Sequence, residues 1–141
     1  MTPRKVDFYV YELSDYQFYQ RLVCNLVEEA YNQENNILLL CENEESCETL
    51  DELLWTFKDV SFIPHEKKLN NKILTQHINL TKKKHSLILM NLTYSFPDFL
   101  ETHDRVIEMS GYDEDSRQKA RLNFKRYKTM NFEINSVPIK P

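Results

Sequence analysis

The residues best suited to chemistry lie in a basic stretch near the end of the chain. On a helix that turns about 100° per residue, five of them share an arc of about 100°: Arg117, Arg121, Phe124, Lys125 and Lys128. Guanidinium groups bind carboxylates through paired hydrogen bonds, and an aromatic ring among the cations offers an apolar contact. These five residues, the basic stripe, predict a site for a short acidic peptide that ends in an apolar residue.

The basic stripe is open to two alternative interpretations. It could be the solvent-exposed side of an amphipathic helix, where cations near the carboxyl end are favoured by the helix dipole. Against this, Leu122, Lys119 and Arg126 occupy another face, and Ala120 and Tyr127 lie beside the stripe, facing the expected core. The stripe could also bind single-stranded nucleic acid directly. The nature of the ligand, peptide or oligonucleotide, separates these hypotheses.

Catalytic chemistry has weaker candidates. Cys41 is expected at the end of a strand just before a helix, a position that lowers the pKa of a thiol. No base partner is evident nearby, so a buried, inert thiol is the better-supported interpretation. An acidic cluster resembles a catalytic carboxylate group only in composition, because most of it lies on the predicted solvent-exposed side of the next helix: Glu42, Glu44, Glu45, Glu48 and Glu52. A small cytosolic α/β enzyme with its site at Cys41 or in this cluster remains the main alternative function.

Cofactor and metal sites find no support in the sequence. The single glycine, Gly111, leaves no glycine-rich loop to hold a nucleotide phosphate. The four histidines lack the HxH, HxxxH and HExxH spacings of zinc ligands: His65, His77, His85 and His103. We therefore expect neither a cofactor nor a metal.

Length, charge and cysteine content indicate one small cytoplasmic domain. The 141 residues fit a single domain, residues 1–141, with a sizeable core. The net charge of −4 opposes a protein that coats nucleic acid, so any DNA contact is expected to be indirect. Cys24, Cys41 and Cys47 lack CxxC spacing and indicate reduced thiols. The sequence has no apolar run long enough for a signal peptide or a membrane span, so we expect neither.

A second candidate surface contains the only tryptophan. If residues 44–57 form a helix, Trp55 lies roughly 140° from Leu50 and points away from the apolar face. Phe62 and Pro64 follow closely, so this segment predicts an exposed apolar patch of the kind that binds a protein partner. The alternative is that a neighbouring loop covers Trp55.

The elements that must position these residues alternate between strand and helix. Strands are expected at 6–11, 37–41, 87–90 and 105–109, helices at 15–35, 44–57 and 113–130, with Asn43 as an N-cap. Continuous apolar runs at 37–41 and 87–90 are typical of parallel strands covered on both faces. We also expect a mobile connection at 67–72, a short edge strand at 77–80, a helix start at 97–100 and an extended piece at 132–134. The fold class is α/β: a single three-layer Rossmann-like domain with a mostly parallel sheet, lacking a nucleotide-binding loop.

Several blocks along the chain resemble the chi subunit family of the bacterial DNA polymerase III holoenzyme. They are FY at 8–9, LVC at 22–24, CENE at 41–44, LDELLW at 50–55, SFIPH at 61–65, SFPDF at 95–99 and ARLNFKRY at 120–127. No block is a catalytic signature, and the specificity of the resemblance lies in their order and spacing. The resemblance implies the same Rossmann-like architecture and a non-catalytic accessory subunit of the clamp-loader complex.

The resemblance also implies two partners. Chi subunits bind the acidic, phenylalanine-terminated tail of single-stranded-DNA-binding protein, and the basic residues of that site correspond to Arg117, Arg121 and Lys125. Phe124 stands where the family pattern has a tyrosine, and Ser110 where an aliphatic residue is expected. Arg117 replaces a lysine and conserves its charge.

The second implied partner is the psi subunit, which connects chi to the clamp loader. Trp55, Phe62 and Pro64 match its docking region. The expected function is therefore a bridge between psi and the tail of single-stranded-DNA-binding protein during DNA replication.

Overall fold

In a computed structural model the chain forms a layered α/β fold, with helices covering both faces of one sheet. The structure describes residues 4–11, 15–33, 36–56, 66–70, 73–78, 87–97, 105–110 and 113–139. Within them, the strands are β1 (Lys5–Val10), β2 (Asn36–Cys41), β3 (Glu66–Asn70), β4 (Ile73–Ile78), β5 (Leu87–Asn91), β6 (Arg105–Ser110) and β7 (Glu133–Pro138). The helices are α1 (Tyr16–Asn32), α2 (Glu44–Thr56) and α3 (Glu114–Thr129).

The sheet is mostly parallel, as the apolar runs predict. Its strand order is β3-β4-β2-β5-β6-β1-β7. The neighbouring pairs from β2 to β7 are parallel, whereas β4 pairs antiparallel with both β2 and β3. The register aligns Phe8 of β1 with Glu108 of β6 and with Ser136 of β7. The α/β fold class with a mostly parallel sheet is therefore confirmed.

Two apolar cores, one on each face of the sheet, follow from the alternation of strand side chains. On one face, Leu39 and Met90 pack with α1 and α2 through residues such as Val23 and Leu50. On the other, α3 contributes Ala120 and Tyr127 to a smaller core that also contains Val6, Phe8, Leu40, Leu89 and Val106. This second core fixes α3 against the part of the sheet that contains β6 and β7.

Side-chain caps set the starts of two helices. The Asn43 Oδ1 accepts a 2.8 Å hydrogen bond from the backbone N–H of Ser46, which confirms the predicted N-cap of α2. In α3 the Asp113 carboxylate accepts a 2.6 Å hydrogen bond from the N–H of Ser116. Both caps satisfy N–H groups that lack a partner within the first turn of a helix.

The segment between α2 and β5 differs from its prediction. Residues 67–70 of the expected mobile connection belong to β3, paired antiparallel with β4. His77 and Ile78 belong to β4, which lies between β3 and β2 rather than at the sheet edge. The lysine-rich composition misled the prediction, because an edge strand tolerates charged residues that discourage further strand pairing. Residues 79–80 and the expected helix start at 98–100 lie outside the described residues.

Candidate functional site

Helix α3 separates its residues onto a buried and an exposed face. The buried face consists of Ser116, Lys119, Ala120, Asn123 and Tyr127. The exposed or half-exposed face carries all members of the basic stripe. The predicted angular separation of the stripe from Ala120 and Tyr127 is therefore confirmed, and the stripe is available to a ligand.

A groove runs along this exposed face and brings most of the stripe together. Its volume is about 1090 Å³, and its lining includes Arg117, Arg121, Phe124 and Lys125. Lys128 does not line it. At 1.5 Å rise per residue, Lys128 lies about 16 Å along the helix from Arg117, which carries it past the groove. The structure thus supports four of the five predicted residues as one site.

The apolar floor of the groove comes from β1. Phe8 and Val10 of β1 line it, together with Tyr11 directly after β1 and Ser110 at the end of β6. The rings of Phe8 and Phe124 are 5.6 Å apart at 55°, a tilted aromatic contact. Phe8 is buried, whereas 38% of Phe124 remains exposed. A second apolar or aromatic side chain can therefore pack on the open part of the Phe124 ring.

One carboxylate competes for the cations of the groove. The Glu114 carboxylate lies 3.0 Å from Nη2 of Arg121 and 3.8 Å from Nη1 of Arg117. Both contacts are on the exposed surface, where an ion pair contributes about 0–1 kcal/mol and is screened by salt. Glu114 therefore holds the guanidinium groups over the groove but binds them weakly enough for another carboxylate to take its place.

Beneath α3 lies a charged network that sequence reasoning missed. The Glu108 carboxylate in β6 is fully buried. It accepts hydrogen bonds from Lys119 Nζ at 3.2 Å, Asn123 Nδ2 at 3.2 Å and the Tyr127 hydroxyl at 2.7 Å. The Asn91 Nδ2 lies 3.1 Å from the same carboxylate. A buried charge with this many donors fixes α3 on the sheet.

The signal for this network was present in the sequence. Lys119, Asn123 and Tyr127 are spaced four residues apart, so they share one face of a helix. Glu108 stands within the run RVIEMS, which is otherwise suited to a buried strand. A polar face on a helix that packs on a sheet predicts a buried partner of opposite charge, although this pattern alone does not identify the carboxylate. Burial and the nearby Glu108 charge also raise the pKa of the Tyr127 hydroxyl well above its ordinary value, so it remains a donor.

Cys41 does not have the properties of a nucleophile. It lies at the end of β2, beside a cavity of about 340 Å³. A hydrogen bond with the Cys47 thiol and burial both raise the pKa of the Cys41 thiol well above its ordinary value. The thiol is therefore protonated at neutral pH, whereas a catalytic cysteine needs a thiolate. All three cysteines are buried thiols, as predicted, and the glutamates of the acidic cluster are exposed.

Comparison with known proteins shows the family of the chain. A family model described as DNA polymerase III chi subunit, HolC, matches residues 3–135. The chain belongs to this family. A relative from Pseudomonas aeruginosa, DNA polymerase III subunit chi, is 30% identical over 132 residues, which cover 92% of this chain and 93% of the relative. The relative of the same name from Escherichia coli K12 is 29% identical over 126 residues, 86% of each chain.

Membership of the chi family confirms the resemblance drawn from the sequence blocks. It makes the chain an accessory subunit of DNA polymerase III, with a role in DNA replication. A more distant chi relative, from Haemophilus influenzae, is 21% identical over 122 residues. In the described part of the chain, no helix is long and apolar enough to cross a membrane.

Two departures from the expected chi pattern fall within the groove. Phe124, where the resemblance leads us to expect a tyrosine, makes an aromatic contact with Phe8 and has no hydroxyl. Ser110, where we expect an aliphatic residue, is buried and lines the groove. Phe8 and Val10 supply apolar lining at this end of the groove.

The second predicted surface is described only in part. Trp55 belongs to α2, as expected, because the helix spans Glu44–Thr56. The Trp55 side chain, and Phe62 and Pro64 altogether, lie outside what the structure describes. The half-buried Leu53 packs on the core that contains Leu50. This confirms the apolar face of α2, which was the reference for the angular position of Trp55.

Proposed function

We propose that this chi-family chain is a non-catalytic bridge between two replication proteins. The groove of α3 binds the acidic carboxyl-terminal tail of single-stranded-DNA-binding protein. The surface formed by Trp55, Phe62 and Pro64 binds the psi subunit. The observation that carries the proposal is the groove itself, in which Arg117, Arg121 and Lys125 lie beside the partly exposed ring of Phe124.

The groove suits the two chemical features of such a tail. Its terminal phenylalanine packs on Phe124 over the floor formed by Phe8 and Val10. Its carboxylates, including the free terminal one, replace Glu114 as partners of Arg121 and Arg117. Apolar and charged contacts therefore act at the same place, and each requires the other for full affinity.

The bridge depends on coupling two contacts of modest strength. The groove of α3 is open to solvent, and ion pairs formed in it are screened at physiological salt. A DNA strand coated with single-stranded-DNA-binding protein presents many tails. Attachment through psi keeps the groove close to them. The resulting effective concentration raises the occupancy of the groove without any additional contact.

Two rival functions are less well supported by the groove. Direct binding of single-stranded nucleic acid requires a groove that attracts a continuous polyanion. Glu114 and Asp115 lie at the start of α3, and the whole chain carries a net charge of −4. These negative charges repel the phosphates of a nucleic acid. Catalysis at Cys41 is opposed by the raised pKa of its thiol.

Calorimetric titration with synthetic tails tests the peptide site. A peptide of several aspartates ending in phenylalanine should bind one site per chain. The same peptide with an amidated carboxyl terminus should bind more weakly, because it lacks one carboxylate for Arg121. Lys128→Ala serves as the matched control, since Lys128 is a cation of α3 outside the groove. If a short oligothymidylate binds and displaces the peptide, the hypothesis of a nucleic-acid site replaces that of a peptide site.

A further inference from the structure

The exposed arc of α3 extends beyond the basic stripe and ends on a second apolar side chain. With Arg117 at zero, helical geometry places Phe124 at about −20° and Leu122 at about 140°. Arg121 and Lys125 lie between them, at about 40° and 80°. The cations of the groove are therefore flanked by one apolar side chain on each side.

Leu122 connects the groove with a smaller hollow on the other side of α3. It is 60% exposed, more than the other exposed apolar side chains among the described residues. The hollow has a volume of about 350 Å³ and is lined by Tyr94, Asp115, Gln118, Lys119 and Leu122. Leu122 and Gln118 line both depressions, so the groove and the hollow adjoin.

The wall of the hollow is fixed before any ligand arrives. The backbone N–H of Tyr94 donates a 2.6 Å hydrogen bond to the Glu42 carboxylate. Its hydroxyl donates one of 3.1 Å to Asp113 Oδ2. These contacts hold Tyr94, which is 39% exposed, in the lining that it shares with Leu122. A side chain that enters the hollow therefore meets a positioned ring and loses less freedom on binding.

The charges around the hollow select against an acidic side chain. Lys119 turns its ammonium group inward to the buried Glu108, at 3.2 Å, and is itself buried. Asp115 is the exposed charged residue of the lining. Leu122 and Tyr94 supply the exposed apolar surface. An uncharged, apolar side chain is the ligand that fits these surroundings.

We infer that the hollow takes an apolar side chain of the same acidic peptide, upstream of the residues that contact the cations. This inference rests on the proposed function of the groove. The arc from Phe124 to Leu122 is roughly 160°, or about 15 Å around a helix of this diameter. An extended chain covers about 3.3 Å per residue, so the upstream apolar residue stands about four or five positions before the terminal one.

A leucine scan of the peptide tests this spacing. The parent ligand is a ten-residue peptide that ends in phenylalanine, with aspartates at the three positions before it and serine elsewhere. Single leucines replace the serines in turn at four to eight positions before the terminal residue, so that the aspartates stay in place. Fluorescence anisotropy should show a gain of about fivefold or more in affinity at position four or five, from the burial of one leucine.

Two variants locate the gain on the protein. Tyr94→Ser alters the hollow but not the groove lining, and Leu122→Ser alters their shared wall. Both should abolish the gain, and Tyr94→Ser should leave the affinity for the parent peptide within about twofold. Met130→Ser is the matched control, because Met130 is an exposed apolar residue after α3 that lines neither depression. It should retain the full gain.

The outcomes separate the inference from the function on which it rests. Parent binding without a leucine gain at any position overturns the inference and leaves the proposed function in place. A gain that survives both Tyr94→Ser and Leu122→Ser also overturns it, because the leucine then binds elsewhere. Failure of the parent peptide to bind the wild-type chain overturns the proposed function, and the inference falls with it.

Discussion

The hydroxyl of Tyr127 in α3 donates a 2.7 Å hydrogen bond to the buried carboxylate of Glu108 in β6. This bond belongs to the buried face of the same helix whose exposed face carries the basic stripe. Lys119 and Asn123 donate to the same carboxylate, so α3 is held at three successive turns. The position of the groove cations over β1 therefore depends on a network on the opposite side of the helix.

Loss of the Lys119 ammonium should destabilise the fold strongly. Lys119→Met leaves Glu108 as a buried carboxylate without its cation, which typically costs about 3–5 kcal/mol of unfolding free energy. Tyr127→Phe removes one charge-assisted hydrogen bond and should cost about 1.5–3 kcal/mol. Urea denaturation measures both. Lys125→Met, an exposed cation on the same helix, is the control, and equal effects at positions 119 and 125 would contradict the network.

Removal of the competing carboxylate should strengthen tail binding. Glu114→Gln releases Arg117 and Arg121 from their exposed ion pairs, which contribute about 0.2–1 kcal/mol. The affinity for the acidic peptide should rise by a comparable free energy, measured by calorimetry at low salt. Glu133→Gln, which removes an exposed carboxylate of β7 paired with Lys5, is the control for total charge. An equal rise in both variants would mean that only net charge matters.

Disruption of the psi surface should leave the fold intact. The helical geometry of α2 places Trp55 roughly 140° from the buried Leu50, so Trp55→Ala with Phe62→Ala should leave thermal unfolding nearly unchanged. Pull-down with the psi subunit should show loss of association. Tail binding in the α3 groove provides the internal control and should persist. A large drop in thermal stability from Trp55→Ala alone would show that this tryptophan belongs to the core.

The cysteines should resist alkylation in the native protein. Burial raises the pKa of the Cys24 thiol to about 11, and the pKa of Cys41 is raised further by its hydrogen bond with Cys47 and by burial. The thiolate fraction is therefore small below the raised pKa and increases only as pH rises towards it. Iodoacetamide at about pH 8, close to the pKa of a free thiol, should modify these residues slowly in the native protein but rapidly in urea. Fast modification of native Cys41 would reopen the hypothesis of a catalytic thiol.

The sequence predicted those features that depend on local periodicity. The alternation of strands with helices and the common face of Arg117, Arg121, Phe124 and Lys125 follow from repeats of about two and about 3.6 residues. The groove does not reach Lys128, which the angular argument grouped with the other cations because it takes no account of distance along the helix axis. The strand β3 was missed because its charged composition resembles that of a loop.

Features that depend on distant partners were harder to predict. Glu108 can be buried because it accepts hydrogen bonds from α3 and from Asn91 of β5. These donors lie 11 to 19 residues away in the chain. Local pattern does not reveal which carboxylate a buried lysine will meet. The hollow beside Leu122 likewise requires Tyr94, a residue of the segment that follows β5, to be placed against α3.

Specific recognition of the tail by the groove is tested by combining one change in the protein with one change in the peptide. Calorimetry compares wild-type chain and Arg121→Ala against acidic peptides with and without the terminal phenylalanine. Arg121→Ala should weaken the binding free energy by about 1–3 kcal/mol, as for a lost charge-assisted hydrogen bond. Removal of the phenylalanine should weaken it at least as much. Added salt should lower the affinity for the complete peptide without abolishing its binding. Equal affinity for peptides with and without phenylalanine would contradict specific recognition, because the groove would then be a general surface for polyanions.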